Sequence, residues 1–220
     1  MLTSLRRLAV ALAAVLLISA CAPQAPDRAM ALSTTEASVE KPIGGDAHAV
    51  MSSVYEFEAI ASDGTPRWRE TVKNVVVNEG LDALLDKTFK GSSYTAAWYC
   101  GLIDNANFTA INNDDTAARI TTGTPSHPTT NNWKESTAYS NANRPTLTLG
   151  SVSSQSVSNT ASKCAFSINA TATINGAFTV STNTKGGTSG TLYSATSFSG
   201  TRSVINGDTL NVTITLNTSR

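Results

Sequence analysis

The stretch Cys164 to Val180, CAFSINATATINGAFTV, restricts the fold more than any other in this chain. Cys164, Phe166, Ile168, Ala170, Ala172 and Ile174 are apolar, and Ser167, Asn169, Thr171 and Thr173 between them are polar. A side-chain period of two puts these sets on opposite faces of an extended chain, one buried and one wet. The same rule returns where Leu210, Val212, Ile214 and Leu216 alternate with Thr209, Asn211, Thr213 and Thr215. Cys164 to Val180 is therefore expected to form a central core strand. At Asn175-Gly176 it either turns as a hairpin or continues through a bulge with Ile174, Gly176, Phe178 and Val180 on one face. The hairpin is the expected course.

The rest of the chain points to the same architecture. Val54 to Val77 reads as a hairpin: Tyr55, Phe57 and Ala59 alternate with Glu56 and Glu58, and Asp63-Gly64 supplies the turn. On the return, Trp68, Glu70 and Val72 share one face and Arg67, Arg69, Thr71 and Lys73 the other, so cross-strand ion pairs account for the charges. The period then changes. Leu81, Leu84, Leu85 and Thr88 fall at helical spacing, Asn78 can cap and Gly91 can stop, so 78–89 is expected to be an amphipathic helix packed on the core, with a partner-binding helix as the alternative. Trp98, Cys100 and Leu102 share a strand face, and Leu147 and Leu149 point inward after Arg144-Pro145. Beyond Gly91 the chain is poor in charge and rich in Ser, Thr, Asn and Gly, which suits strands with polar outer faces and many turns. The expected fold is mainly β: an antiparallel β-sandwich, immunoglobulin-like or jelly-roll-like, with one short helix.

With 220 residues, 40% of them apolar, the chain can bury the core of one ordinary domain. Its N-terminal part reads differently. Arg6 and Arg7 precede a short apolar run, Leu8 to Ile18, too brief to span a bilayer as a mature helix. The run ends in Ile18-Ser19-Ala20-Cys21, which resembles the bacterial lipobox, and Cys21 is the candidate lipidation site; a plain cleaved signal is the alternative. Ala22 is not the aspartate linked to inner-membrane retention, so that resemblance implies outer-membrane sorting. Residues 22–50 hold Pro23, Pro26, Pro42, Gly44 and Gly45 without apolar period and read as a flexible tether. The domain organisation is then signal 1–21, tether 22–50 and β-domain 51–220.

Several chemistries are excluded by missing parts. Formal net charge is zero with 15% charged residues, which leaves no electrostatic footprint for nucleic acid. The two histidines, His48 in the tether and His127 in a loop, stand beside no nucleophile motif. Neither CxxC nor HExxH occurs, and Asp104, Asp114 and Asp115 lack calcium-loop spacing, so no metal and no cofactor is expected and these aspartates read as turn and cap residues. The chain is expected not to be an enzyme. If Cys21 takes lipid, Cys100 and Cys164 remain as an even pair on apolar strand faces. They are a candidate disulfide in an oxidising compartment, or two inert buried thiols.

From residue 51 onward the chain resembles a family of small all-β structural or uncharacterised proteins of tailed bacteriophages and prophages. The residues that carry the likeness are Asn74-Val75-Val76-Val77-Asn78-Glu79-Gly80-Leu81, Ala96-Ala97-Trp98-Tyr99 with Gly101-Leu102, Trp133-Lys134-Glu135, Tyr139 with Arg144-Pro145, and Ser162-Lys163 leading to Phe166. Gly176-Ala177-Phe178, Gly186 to Tyr193 and Gly207-Asp208-Thr209-Leu210 complete it. The resemblance implies a non-catalytic virion part, such as a head decoration or a tail or fibre component, packing against copies of itself or other virion proteins. Two features depart from the pattern: Cys100 and Cys164 replace small apolar residues, and a virion protein assembled in the cytoplasm needs no export signal. Initiation at Met51 would yield a signal-free virion component. Use of the signal would instead yield an outer-membrane surface lipoprotein that displays the domain as a binding module and meets the membrane through Cys21. Trp133, Tyr139 and Arg144 are the candidates for partner contact, because aromatics and arginine dominate interface hot spots. The competing reading makes them core and loop anchors.

Overall fold

The computed structural model describes residues 50–93, 97–106, 108–120 and 133–219, all within the compact unit Asp46–Arg220. Cys21, His48, His127, the signal and residues 22–49 of the tether lie outside the described residues, while Val50 already belongs to a strand.

The first sheet grows around the alternating C-terminal strand. β1 (Val50–Ile60) pairs antiparallel with β10 (Thr209–Ser219) along its whole length, Val50 opposite Ser219 and Ile60 opposite Thr209. Across the Asp63-Gly64 turn, β2 (Pro66–Lys73) pairs with the other side of β1. The free side of β10 is shared by β6 (Ser156–Ser158) and β7 (Cys164–Ser167). In the gap between them the Asn159 amide takes the place of a strand, Nδ2 donating to Val212 O at 3.2 Å and Oδ1 accepting from Ile214 N at 2.6 Å. The second sheet contains β3 (Val75–Val76), β9 (Leu192–Val204), β8 (Ala172–Val180), β4 (Tyr99–Asp104) and β5 (Glu135–Ser136), in that order and antiparallel. Among the described residues the protein is mainly β, two antiparallel sheets with one α-helix, consistent with a β-sandwich.

The period-two residues meet between the layers. Tyr55, Phe57 and Ala59 of β1 and Leu210, Val212 and Ile214 of β10 join Cys100, Leu102, Ile174 and Ala177 of the second sheet in one buried cluster. Each fully buried side chain of the Phe, Leu or Ile kind contributes about 1.5–3 kcal/mol relative to exposure. The Tyr55 hydroxyl crosses the interior to Thr179 Oγ1 at 2.5 Å and Ser194 Oγ at 2.7 Å, so its polar tip is satisfied. One edge is closed by side chains. Trp68 Nε1 donates to Ser203 O at 2.9 Å, and Arg202 pairs with Glu70 at 2.5 Å, which joins β2 to β9 across the layers.

Cys164 to Val180 corrects the expectation of one central strand. Cys164–Ser167 belongs to the first sheet and Ala172–Val180 to the second, with exposed Asn169, Ala170 and Thr171 carrying the chain across. No hairpin forms at Asn175-Gly176 either; β8 runs straight through. Ile174 pairs with Arg202 and Gly176 with Ser197, so Asn175 faces the longer excursion Phe198 to Thr201 of β9 in a bulge. A Cβ on Gly176 would lie 1.9 Å from Thr196 O, so this close strand approach admits only glycine.

The helix α1 (Asn78–Phe89) forms where the period changes, but its packing differs from the expectation. Val77 is the N-cap and no side chain caps it; Asn78 instead donates through Nδ2 to Asp114 Oδ1 at 2.7 Å. Gly80 is the only fully buried helix residue, because its missing Cβ lets the helix rest on Tyr193. Of the leucines at helical spacing Leu84 is half-buried, while Leu81 and Leu85 are 38% and 58% exposed, and Phe89 beyond them is 80% exposed.

Candidate functional site

Four groups of side chains emerge from this frame. The first is the inter-sheet bridge. β4 and β7 lie in different sheets, and their parity aims Cys100 and Cys164 into the same core. The two are joined by a disulfide, with Cα atoms 6.3 Å apart and a sequence separation of 64. Both are fully buried.

The second is a buried ion pair that gathers two of the three candidate contact residues, Arg144 and Tyr139. Arg144 donates from Nε to Glu135 Oε1 at 2.9 Å and from a terminal nitrogen to Glu135 Oε2 at 2.8 Å, in the bidentate geometry that suits a guanidinium. Its remaining donors reach Thr182 O at 3.1 Å and Gly187 O at 2.9 Å. Glu135 also accepts from the Tyr139 hydroxyl at 3.0 Å and from Gly186 N at 2.7 Å. Burial, reinforced by the adjacent Glu135 charge, raises the Tyr139 hydroxyl well above its ordinary range. Lys185 lies 4.7 Å from the centre of the Tyr139 ring and donates to Tyr139 O and Asn141 O, both at 2.9 Å. Trp133 is nearby in the second core cluster, its ring tilted against Phe178 with centroids 5.5 Å apart and its Nε1 donating to Asp115 Oδ2 at 2.8 Å. Trp133, Tyr139 and Arg144 are 4%, 0% and 2% exposed, so none offers surface to a partner. That corrects their reading as contacts. Arg144 and Glu135, with Tyr139 bonded to the Glu135 carboxylate, anchor the glycine-rich loop 183–190 over the edge of the second sheet.

The third group is the wet face of the first sheet. Glu56, Glu58, Arg69, Thr71, Lys163, Asn211 and Thr213 line a shallow groove of about 270 Å³. The Glu58 carboxylate pairs with Arg69 and, at 3.2 Å, with Lys163. Hydrogen bonds from Arg69 first, then Lys163, hold its pKa below the usual carboxylate range. Arg67 does not join this group; it reaches Asp208 at 2.9 Å. Glu58 is thus engaged by two cations, Arg69 and Lys163.

The fourth is the apolar stripe of α1. Glu79 fixes the helix, its Oε2 accepting from Ala117 N at 2.9 Å and Leu192 N at 2.7 Å. With the inner side pinned there and at Gly80, Leu81, Leu85 and Phe89 face outward at i, i+4 and i+8. The aspartates weighed for calcium bond nearby backbone: Asp104, the last residue of β4, accepts from Ala106 N at 2.6 Å and Asp115 from Asn112 N at 2.8 Å. Among the described residues no group of three His, Cys, Asp or Glu side chains is placed to hold a metal ion, and no helix is long and apolar enough to cross a membrane.

Sequence reasoning missed Glu135, Glu79 and Asn159. Glu135 sits two residues from Trp133, four from Tyr139 and nine from Arg144, and that interleaving of aromatics with opposite charges was the available signal. No family model matches the chain, and no curated protein matches it.

Proposed function

We propose that residues 51–220 are a non-catalytic packing and display module of the tailed-phage type, exported and held on the outer membrane by lipid on Cys21. The observation that carries this reading is the buried Cys100–Cys164 disulfide. Such bridges form and persist in oxidising compartments and are rare where thiols are kept reduced. An export signal ahead of a domain whose core is cross-linked is one consistent arrangement. The second reading is a head decoration or a tail or fibre component made from Met51, with copies of itself or other virion proteins as partners. The residue pattern of 51–220 favours it, and a start at Met51 removes only Val50 from β1. Neither reading needs catalysis, cofactor, metal or nucleic acid.

Cell fractionation separates the two. On the first reading the wild-type chain sediments with the outer membrane, and Cys21→Ser shifts it to the soluble fraction. A wild-type chain recovered from purified particles with Met51 at its N-terminus overturns that reading in favour of the second.

A further inference from the structure

We infer that the outward stripe of α1, Leu81, Leu85 and Phe89, is a lipid-contact surface that seats the domain against the bilayer holding its anchor. The inference rests on the reading that Cys21 is lipidated.

Topology fixes which end of the sandwich bears the helix. β1 begins at Val50 beside Ser219, the last residue of β10. β9 ends at Val204 and passes through 205–208 into Thr209, so its first residues, Leu192 and Tyr193, lie at the same end as Val50. α1 rests on Tyr193 through Gly80 and is tied to Leu192 N through Glu79. The stripe is thus at the end where the chain enters the domain from the direction of Cys21. Between Cys21 and Val50 stand 28 residues, a length that reaches at most roughly 100 Å when fully extended. Confinement to that reach gives the domain a local concentration at the membrane on the order of millimolar, so a contact too weak to recruit a free protein is occupied.

The stripe has the character this contact needs. Phe89 is 80% and Leu85 58% exposed, on a helix that cannot turn inward because Gly80 and Glu79 fix its other side. An apolar face of this kind lies at the boundary between headgroups and acyl chains. The flanking charges do not favour an anionic surface. Asp82 is exposed, Asp86 is paired with Lys90 at 2.9 Å, and the Lys87 ammonium is engaged by Ser93 O at 2.8 Å. The lipid is therefore zwitterionic, and the contact is insensitive to salt.

The test uses the full lipidated chain in phosphatidylcholine vesicles with brominated acyl chains. The Phe89→Trp chain, through its introduced indole, is expected to lose fluorescence relative to unbrominated vesicles, as a ring at acyl depth does, by more than the wild-type chain with Trp68, Trp98 and Trp133 alone. Adding Leu81→Asp and Leu85→Asp, exposed positions that leave the far-ultraviolet circular dichroism unchanged, is expected to abolish the quenching. Intact mass of the same sample reports the acyl chains on Cys21. A lipidated chain whose indole is not quenched overturns the inference and leaves the anchoring intact. Cys21 without acyl chains overturns the anchoring and this inference with it. A concentration-dependent blue shift of the indole without lipid assigns the stripe to a second copy and overturns the inference as well.

Discussion

Replacing Arg144 by Met separates an interior anchor from an interface residue. Arg144 makes four hydrogen bonds, two to Glu135 and one each to Thr182 O and Gly187 O. The side chains of Arg144 and Glu135 are 0% and 1% exposed. Met fills much of the same volume but leaves the Glu135 carboxylate in the interior with only the Tyr139 hydroxyl and Gly186 N as donors. Breaking a buried pair from one side costs about 3–5 kcal/mol, chiefly the penalty of the stranded charge. Removing that charge in turn relieves most of the penalty, so Glu135→Gln in the Arg144→Met background should restore about 2 kcal/mol. Urea unfolding followed by tryptophan fluorescence gives both numbers in one double-mutant cycle, with an unchanged slope confirming a common transition. If Arg144→Met alters stability by less than about 1 kcal/mol, or if the two substitutions add independently, the network does not hold the glycine-rich loop as described.

Removing the bridge through Cys100→Ala and Cys164→Ala should lower stability by about 4 kcal/mol, the chain entropy released by a 64-residue loop; a loss below about 1 kcal/mol in the same urea assay would contradict it. A Cβ at Gly80 meets Tyr193 O at 2.4 Å, a backbone atom that cannot swing away. Gly80→Ala should therefore cost about 2 kcal/mol despite alanine's better helix propensity, and should speed hydrogen exchange at Leu192 N, which Glu79 then no longer holds. Burial pushes the Tyr55 hydroxyl up to about 12, above its ordinary value near 10. The unfolded chain therefore loses this proton first as pH rises, so the contribution is complete below pH 10 and is lost between about pH 10 and 12. Tyr55→Phe should flatten that alkaline decline by about 3 kcal/mol, read from stability measured across the window.

The period of two identified β1 and β10, the inner strands of the first sheet, well because each lies in a single sheet throughout. Tyr55, Phe57 and Ala59 against Leu210, Val212 and Ile214 needed only the correct parity, and parity is visible in sequence. The same rule could not locate the crossing between Ser167 and Ala172, because alternation names a face and not a sheet. Ala170 keeps the parity yet lies exposed in the connection. In α1 the leucines marked a helix correctly, but a glycine chose the contact side, since the closest approach to Tyr193 is made by the residue with no side chain. Trp133, Tyr139 and Arg144 have the composition of a binding hot spot because interfaces and buried polar clusters select the same residue types. Only the position of Glu135 distinguishes the two, and its meaning needed the fold.

The most direct test of the account is the intact mass and thiol content of the native chain. Protein extracted from the cell envelope should begin at an acylated Cys21 and, unfolded without reductant, release no titratable thiol, because Cys100 and Cys164 are bridged. A chain that begins at Met51 and yields two free thiols would contradict both the anchoring and the cross-linked core on which the proposed function rests.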